Sequence, residues 1–320
     1  MPAPITLTLA HSPDPDDAFM WWPITGKITP QGRPFPGAEG LPVLDTGRFV
    51  FRPLPEDIHV LNRRAIEVGD LDITALSVRA YADVFTRYRI TRCGASFGDG
   101  FGPKVVCRSE DSRMHTAEDL KNPELRIAIP GRQTTAFLLL SMILGSAAQD
   151  SPDRFVELPF ERIIPAVARG EVDAGLVIHE GQITFTDAGL RLVTDVGRWW
   201  KDHTGLATPL GINAVQRDLD LRFGPGTLEE VGELLARSVA YSMEHREEST
   251  AYTLPFALAN TTRSGDGATP TLERVDRYCR MYVNDLTRDM GIQGREAIGR
   301  LLQTGARHGC CADPGVIDTL

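Results

Sequence analysis

The stretch from Gly170 to Glu180 constrains the fold of this chain more than any other. It reads Gly-Glu-Val-Asp-Ala-Gly-Leu-Val-Ile-His-Glu. Gly170 suits the end of a helix, where a residue without Cβ takes the left-handed conformation at low cost. Val172 to Ile178 then predicts a short buried strand, and His179 stands at its C-terminal end. In open α/β sheets that end faces the ligand crevice. A polar pair directly after Leu-Val-Ile is harder to explain by packing than by chemistry. Alternate strand residues face opposite sides, so Glu180 turns away from His179 if the strand continues and can orient the ring if it has ended.

The rest of the chain repeats the same alternation. Ile5, Leu7 and Leu9 alternate with threonines in a first strand, and His11 to Asp17 form an acidic, proline-containing loop before a helix that starts near Ala18. Residues 23–47 are rich in Gly and Pro and read as an extended surface insertion near the cleft mouth. Strands are expected at 49–51, 72–76, 104–107, 125–129, 155–158, 172–178, 191–196 and 209–215. Helices are expected at 56–66, 77–84, 136–144 and 161–168. Gly98, Gly100 and Gly102 suggest a flexible turn. Thr227 and Glu230 have capping-box spacing ahead of an apolar helix, and two more helices are expected at 272–290 and 294–308. The rhythm predicts an α/β protein of two lobes around a central cleft. Residues 1–107 plus 212–320 form the first lobe, and 108–211 form an inserted second one. Such a cleft is a standard place for a small ligand.

Composition narrows the partners. The chain has 320 residues with a formal net charge of −9, which disfavours nucleic acid and anionic membrane surfaces. No run approaches a membrane span, and no export segment is read at the start. The five cysteines are irregularly spaced and match no zinc or iron–sulfur pattern, so free thiols in a reducing cytoplasm are expected. A small-molecule substrate is the expected partner, and homo-oligomerisation is left open.

The candidate chemistry falls in three places. His179 is the candidate catalytic base, because neutral imidazole accepts a proton near pH 7. Pro130-Gly131-Arg132-Gln133-Thr134-Thr135 is a strand-to-helix turn whose amides favour a carboxylate, with the hydroxyls of Thr134 and Thr135 as added donors and Arg132 as added charge. It lacks the pattern of a nucleoside-triphosphate loop. Ser12, Asp14, Asp16 and Asp17 crowd the first turn. There a carboxylate can grip sugar hydroxyls and Asp17 can cap the next helix. The acids make only a weak metal pattern, and no metal site is expected. Ser77 either caps the helix it begins or faces the cleft, and Glu180 is a further binding candidate. Trp199 or Trp200 can pack against a planar ligand or in the core. His11 is a weaker binding candidate.

Taken together, these motifs resemble the menaquinone-biosynthesis enzymes of the futalosine route, in particular the members that form 1,4-dihydroxy-6-naphthoate. The resemblance lies in Ser12–Phe19, Leu76–Tyr81, Gly102–Val106, Pro130–Ala136, Gly170–Glu180, Trp199-Trp200 with Thr204–Leu206, and Pro209–Gly211. It implies a fold like periplasmic binding proteins of the second type, used in the cytoplasm as an enzyme that needs no metal or organic cofactor. The implied substrate is cyclic dehypoxanthine futalosine, which has a carboxylate and a sugar-derived part. The implied general base is His179, with Ser77, Thr134 and Thr135 at substrate-binding positions and Ser12 to Asp17 in the cleft. Two features depart from the family pattern. Its first turn often reads Ser-Pro-Cys-Pro-Asn-Asp where this chain has Asp14 and Asp16, and Gly181 stands where serine is expected. A related family member dehydrates chorismate on the same scaffold, and a binding protein without chemistry is the remaining alternative.

Overall fold

A computed structural model describes residues 3–264 and 269–320. Its strands are β1 (Ile5–His11), β2 (Phe49–Pro55), β3 (Ile73–Ser77), β4 (Tyr88–Ile90), β5 (Ser96–Gly98), β6 (Lys104–Arg108), β7 (Ile127–Ile129), β8 (Phe155–Glu157), β9 (Ala174–Val177), β10 (Leu190–Asp195) and β11 (Thr208–Gln216). They form two sheets, ordered β2-β1-β3-β11-β4 with β5 also on β11, and β10-β6-β9-β7-β8. In the first sheet β1 runs parallel to β2 and β3, and β11 runs antiparallel to β3, β4 and β5. In the second, β7 runs parallel to β8 and β9, and β6 is antiparallel to β9 and β10. These are the two lobes, and the fold is periplasmic-binding-protein-like.

The pattern of burial explains the strand order. Every residue of β3 and of β9 is buried, as suits strands covered on both faces. The edge strand β2 keeps Val50 and Arg52 exposed while burying Phe49 and Phe51. Helices 15–25 and 227–244 close the outer side of the first sheet, where Phe19, Met20, Trp21, Leu235 and Val239 join Leu7 and Leu9 in one core. The Ser238 hydroxyl donates to the Met20 carbonyl at 2.7 Å, tying the two helices together.

Several expectations need correction. β6 belongs to the second sheet, so the inserted lobe starts at Lys104 and not at 108. At the other end β11 starts at Thr208, so the return to the first lobe comes before 212. The 23–47 segment lies against the helix Arg246–Ser264: Lys27 pairs with Glu248 at 2.9 Å and the Tyr252 hydroxyl accepts from the Ile28 amide at 3.2 Å. No residue of it lines the cleft. The expected capping box at Thr227 is not made. The Thr227 hydroxyl donates back to Gly224 O at 2.7 Å, and Glu230 is taken by Arg48 at 2.9 Å. Helices Val196–Thr204 and Arg246–Ser264 were not expected, and the 272–290 stretch is two helices, Leu272–Tyr282 and Asp285–Arg288.

Gly102 is not a flexible hinge residue. A Cβ there would stand 2.7 Å from the Gly197 Cα, so the glycine lets one lobe crossing lie against the first turn of helix 196–204. Among the described residues, no helix is long and apolar enough to cross a membrane.

Candidate active site

The C-terminal ends of β1, β3, β7 and β9 converge on the space between the sheets. Each strand leads, directly or through a short turn, into a helix: Pro15–Thr25, Val78–Val84, Thr135–Leu144 and the single turn Gly181–Thr184. The enclosed cleft holds about 690 Å³ of space, part of it open to solvent. Its walls include Ser12, Asp14, Asp16 and Asp17 from the first turn, Ser77 from the second, and Thr134, Thr135 and Ala136 from the third. His179 and Gln182 come from the turn after β9, and Tyr278 and Tyr282 from helix 272–282. Among the described residues, no lysine or arginine lines it.

His179 is the one non-glycine residue with positive φ among those described, at 57°. The strand has ended by then, and the turn swings the ring into the cleft. Its Nδ1 donates to Asp14 Oδ2 at 2.5 Å, and Phe160 packs edge-on with ring centroids 4.2 Å apart. Nε2 is buried and has no hydrogen-bond partner among the described residues. Asp14 is equally fixed. Ser12 Oγ donates to its Oδ2, and Asn260 Nδ2 donates to its Oδ1 at 3.3 Å. Three of the roughly four acceptor positions of the carboxylate are thus taken within the protein.

Charge in the cleft is set by burial and by Asp14. Burial works against the charged form of His179, but the charge and hydrogen bond of Asp14 outweigh it and push the imidazole up to about 9. Asp16 is pushed up to about 7 by burial and by the neighbouring Asp14 charge. Burial likewise raises Asp17 well above the carboxylate range, with Asp16 and Asp14 adding to it. Glu180 rises to about 8, again mainly through burial. Near neutral pH Asp14 thus favours an imidazolium at His179, beside carboxyl groups that burial holds above the usual range.

This arrangement has a consequence for stability. Asp16, Glu180 and His179 all bind their protons more tightly when folded than when unfolded. Each contributes stability that is complete below its unfolded pKa and lost as pH rises through its folded value. The window therefore runs from the ordinary values, 3.8, 4.5 and 6.5, up to the folded ones, about 7, about 8 and about 9. The ligand-free protein is expected to melt at progressively lower temperature as pH rises through that window. A melting temperature that stays flat or climbs there, followed by circular dichroism, contradicts the burial of these protons.

The other expected residues divide. Ser77 faces the cleft and does not cap its helix through its side chain; its Oγ accepts from Asn62 Nδ2 at 2.9 Å. Thr134 caps its helix by accepting from the Phe137 amide at 3.3 Å and donates to Gly131 O at 2.7 Å. Thr135 donates to Leu210 O at 2.7 Å. Their hydroxyls are committed, so the anion-binding capacity of this turn rests on the backbone amides of the first helical turn, which lack intrahelical acceptors. Asp17 does not cap the helix start. It reaches back to accept from the Ser12 amide at 2.9 Å.

Arg132 does not line the cleft; it pairs with Glu157 at 3.2 Å and donates to Pro152 O at 3.0 Å. Glu180 faces a neighbouring cavity with Phe160 and Arg274. Trp200 is in the core and Trp199 lies against His203, with ring centroids 4.5 Å apart. His11 donates from Nδ1 to Ser12 O at 2.7 Å, and burial drives it down to about 4. It lies behind the cleft wall, uncharged at neutral pH.

Sequence reading did not single out Gln182, Tyr278 and Tyr282. The Tyr282 hydroxyl donates to Gln182 Oε1 at 2.7 Å, joining the C-terminal helices to the second lobe. Tyr278 and Tyr282 are one helical turn apart, and that spacing was the available sign that both face one side. Among the described residues, no group of three or more His, Cys, Asp or Glu side chains is arranged to hold a metal ion.

Known proteins with the same framework place this geometry. A solved structure from Archaeoglobus fulgidus superposes with a TM-score of 0.75 at 38% identity, covering 95% of this chain and 98% of that one. An alkanesulfonate-binding protein from Xanthomonas axonopodis pv. citri, solved with MOPS, shares the fold at a TM-score of 0.61 and 15% identity, over 99% of this chain and 98% of its own. The 1,4-dihydroxy-6-naphthoate synthase of Thermus thermophilus is 36% identical over 307 residues, 96% of each chain. That of Streptomyces coelicolor is 32% identical over 304 residues, 95% of this chain and 94% of the relative. The family described as Menaquinone biosynthesis matches residues 7–307. With a cleft built on the same scaffold and relatives matched almost end to end, the chain belongs to the menaquinone-biosynthesis family.

Proposed function

We propose that this chain is a lyase that converts cyclic dehypoxanthine futalosine to 1,4-dihydroxy-6-naphthoate, with His179 as general base. The observation that carries the reading is the His179 ring itself. Nδ1 is held, while Nε2 is buried, unpartnered and set in the cleft wall. Once the ring has lost its second proton, a nitrogen so placed is open to a carbon-bound proton of the substrate.

The substrate carboxylate fits the start of helix 135–144, where first-turn amides supply donors and the helix dipole favours negative charge. That anchor orients the proton next to the substrate carbonyl toward Nε2. Removal of this proton leaves an electron pair that the carbonyl stabilises. The bond to the sugar-derived part then breaks, that part departs with the electron pair, and the remaining ring system becomes aromatic. Asp16 faces the same cleft, and burial holds its carboxyl above the usual carboxylate range, so it is the candidate to protonate the departing group. General-base catalysis of this kind supplies roughly 10²–10⁴-fold in rate, on the order of 3–5 kcal/mol. We place the reaction in the cytoplasm, where the free thiols of Cys93, Cys107, Cys279, Cys310 and Cys311 persist.

The test is incubation of the purified protein with cyclic dehypoxanthine futalosine, followed by mass spectrometry for 1,4-dihydroxy-6-naphthoate. Steady formation of that product is expected. Dehydration of chorismate instead would reassign the substrate within the family, and saturable binding with no product would reduce the protein to a binding module.

A further inference from the structure

We propose that Asp14 is a positioning residue, the acidic half of a His–Asp dyad assembled across the cleft, which fixes the tautomer and aim of His179 when the two lobes are closed. The proposal deepens the general-base reading and rests on it for its catalytic meaning.

Three observations carry it. The partners come from opposite lobes: Asp14 ends the turn after β1, and His179 ends the turn after β9. Their 2.5 Å contact therefore exists only with the lobes together. The carboxylate is prepared before His179 arrives, since Ser12 Oγ and Asn260 Nδ2 both donate to it from the first lobe. The ring is clamped as well, by Phe160 at its edge and by a backbone held at φ 57°. A carboxylate accepts only, so Nδ1 must carry the proton and Nε2 is left as the nitrogen that meets substrate. A thiol at position 14 would be a much weaker acceptor and could not impose that tautomer as firmly.

The dyad also sets the pH at which the base is free. The groups that act on His179 are Asp14, Asp16 and Asp17 from the first turn, Asp57 before helix 58–67, and its own neighbour Glu180. Tyr278 and Tyr282 wall the same cleft from helix 272–282, and Glu161 on helix 160–168 bears on Asp57. Of these, Asp14 alone hydrogen-bonds the ring, and its removal takes away the largest favourable influence on the imidazolium. Turnover in the native protein should therefore climb with pH until His179 loses its proton.

The experiment is a nitrogen NMR titration of the His179 ring in ligand-free protein, comparing the native chain with Asp14→Asn and Asp14→Cys. Thermal melts serve as the check that each variant folds. In the native chain Nδ1 is expected to stay protonated throughout while Nε2 titrates; a neutral form protonated at Nε2 overturns the dyad without any variant. In both variants the midpoint is expected to fall by at least about one pH unit, a tenfold change in proton affinity. The acid limb of kcat against pH should move with it, while KM stays within about threefold. An unmoved midpoint in a folded variant overturns the proposal. Because the titration does not depend on turnover, a shifted midpoint combined with full activity of His179→Asn would leave the dyad standing and remove the general-base role instead.

Discussion

His179→Asn is expected to lower turnover by at least about 10²-fold while KM changes only a few-fold. Asparagine is the informative replacement for two reasons. Its side-chain amide can still donate to Asp14, so the contact between the lobes survives the change. It also tolerates the left-handed backbone that His179 occupies at φ 57° better than other non-glycine residues do. What disappears is the lone pair of Nε2. Steady-state kinetics on a variant with a native melting temperature measures that loss, and turnover within a few-fold of native would remove His179 from the chemistry.

Gly197→Val is expected to be strongly damaging although it lies outside the site, costing about 3 kcal/mol. A Cβ at Gly197 would lie 2.4 Å from the Phe101 carbonyl oxygen and 2.5 Å from the Gly102 Cα and N. All three contacts are backbone, so no side chain can rotate aside to relieve them. The strain falls where the chain crosses between lobes, so it should displace helix 196–204 from the crossing and lower the melting temperature by several degrees. Calorimetry would decide it, and a melting temperature within a degree of native would mean that the crossing yields freely.

Most of the α/β framework was legible because its strands are apolar runs ended by Gly, Pro or a small polar residue. The Leu-Val-Ile run before His179 and the Ile-Ala-Ile run of β7 leave little alternative. β4 and β5 were missed because Tyr-Arg-Ile and Ser-Phe-Gly are not apolar runs, and pairing with β11 is what makes them strands. Helix 246–264 begins Arg-Glu-Glu-Ser-Thr and contains Pro255, which masks its helical spacing. The site was legible where one turn supplied the residues, as at Thr134-Thr135 and His179. It was not where remote segments met. Nothing local shows that Asp14 faces His179, that Tyr282 reaches Gln182, or that Glu157 lies beside Arg132 and draws it from the cleft.

The two crossings between the lobes run side by side, since β5 and β11 pair at Gly98 with Thr208 and at Phe97 with Pro209. Two straps laced edge to edge behave as a leaf spring: they flex across their thin direction, and shear or twist would break the lacing hydrogen bonds. Bending across the straps is therefore the movement that leaves this pairing intact. A distance between a label on each lobe follows that movement, and a ligand that shortens it has closed the cleft along the straps' soft direction.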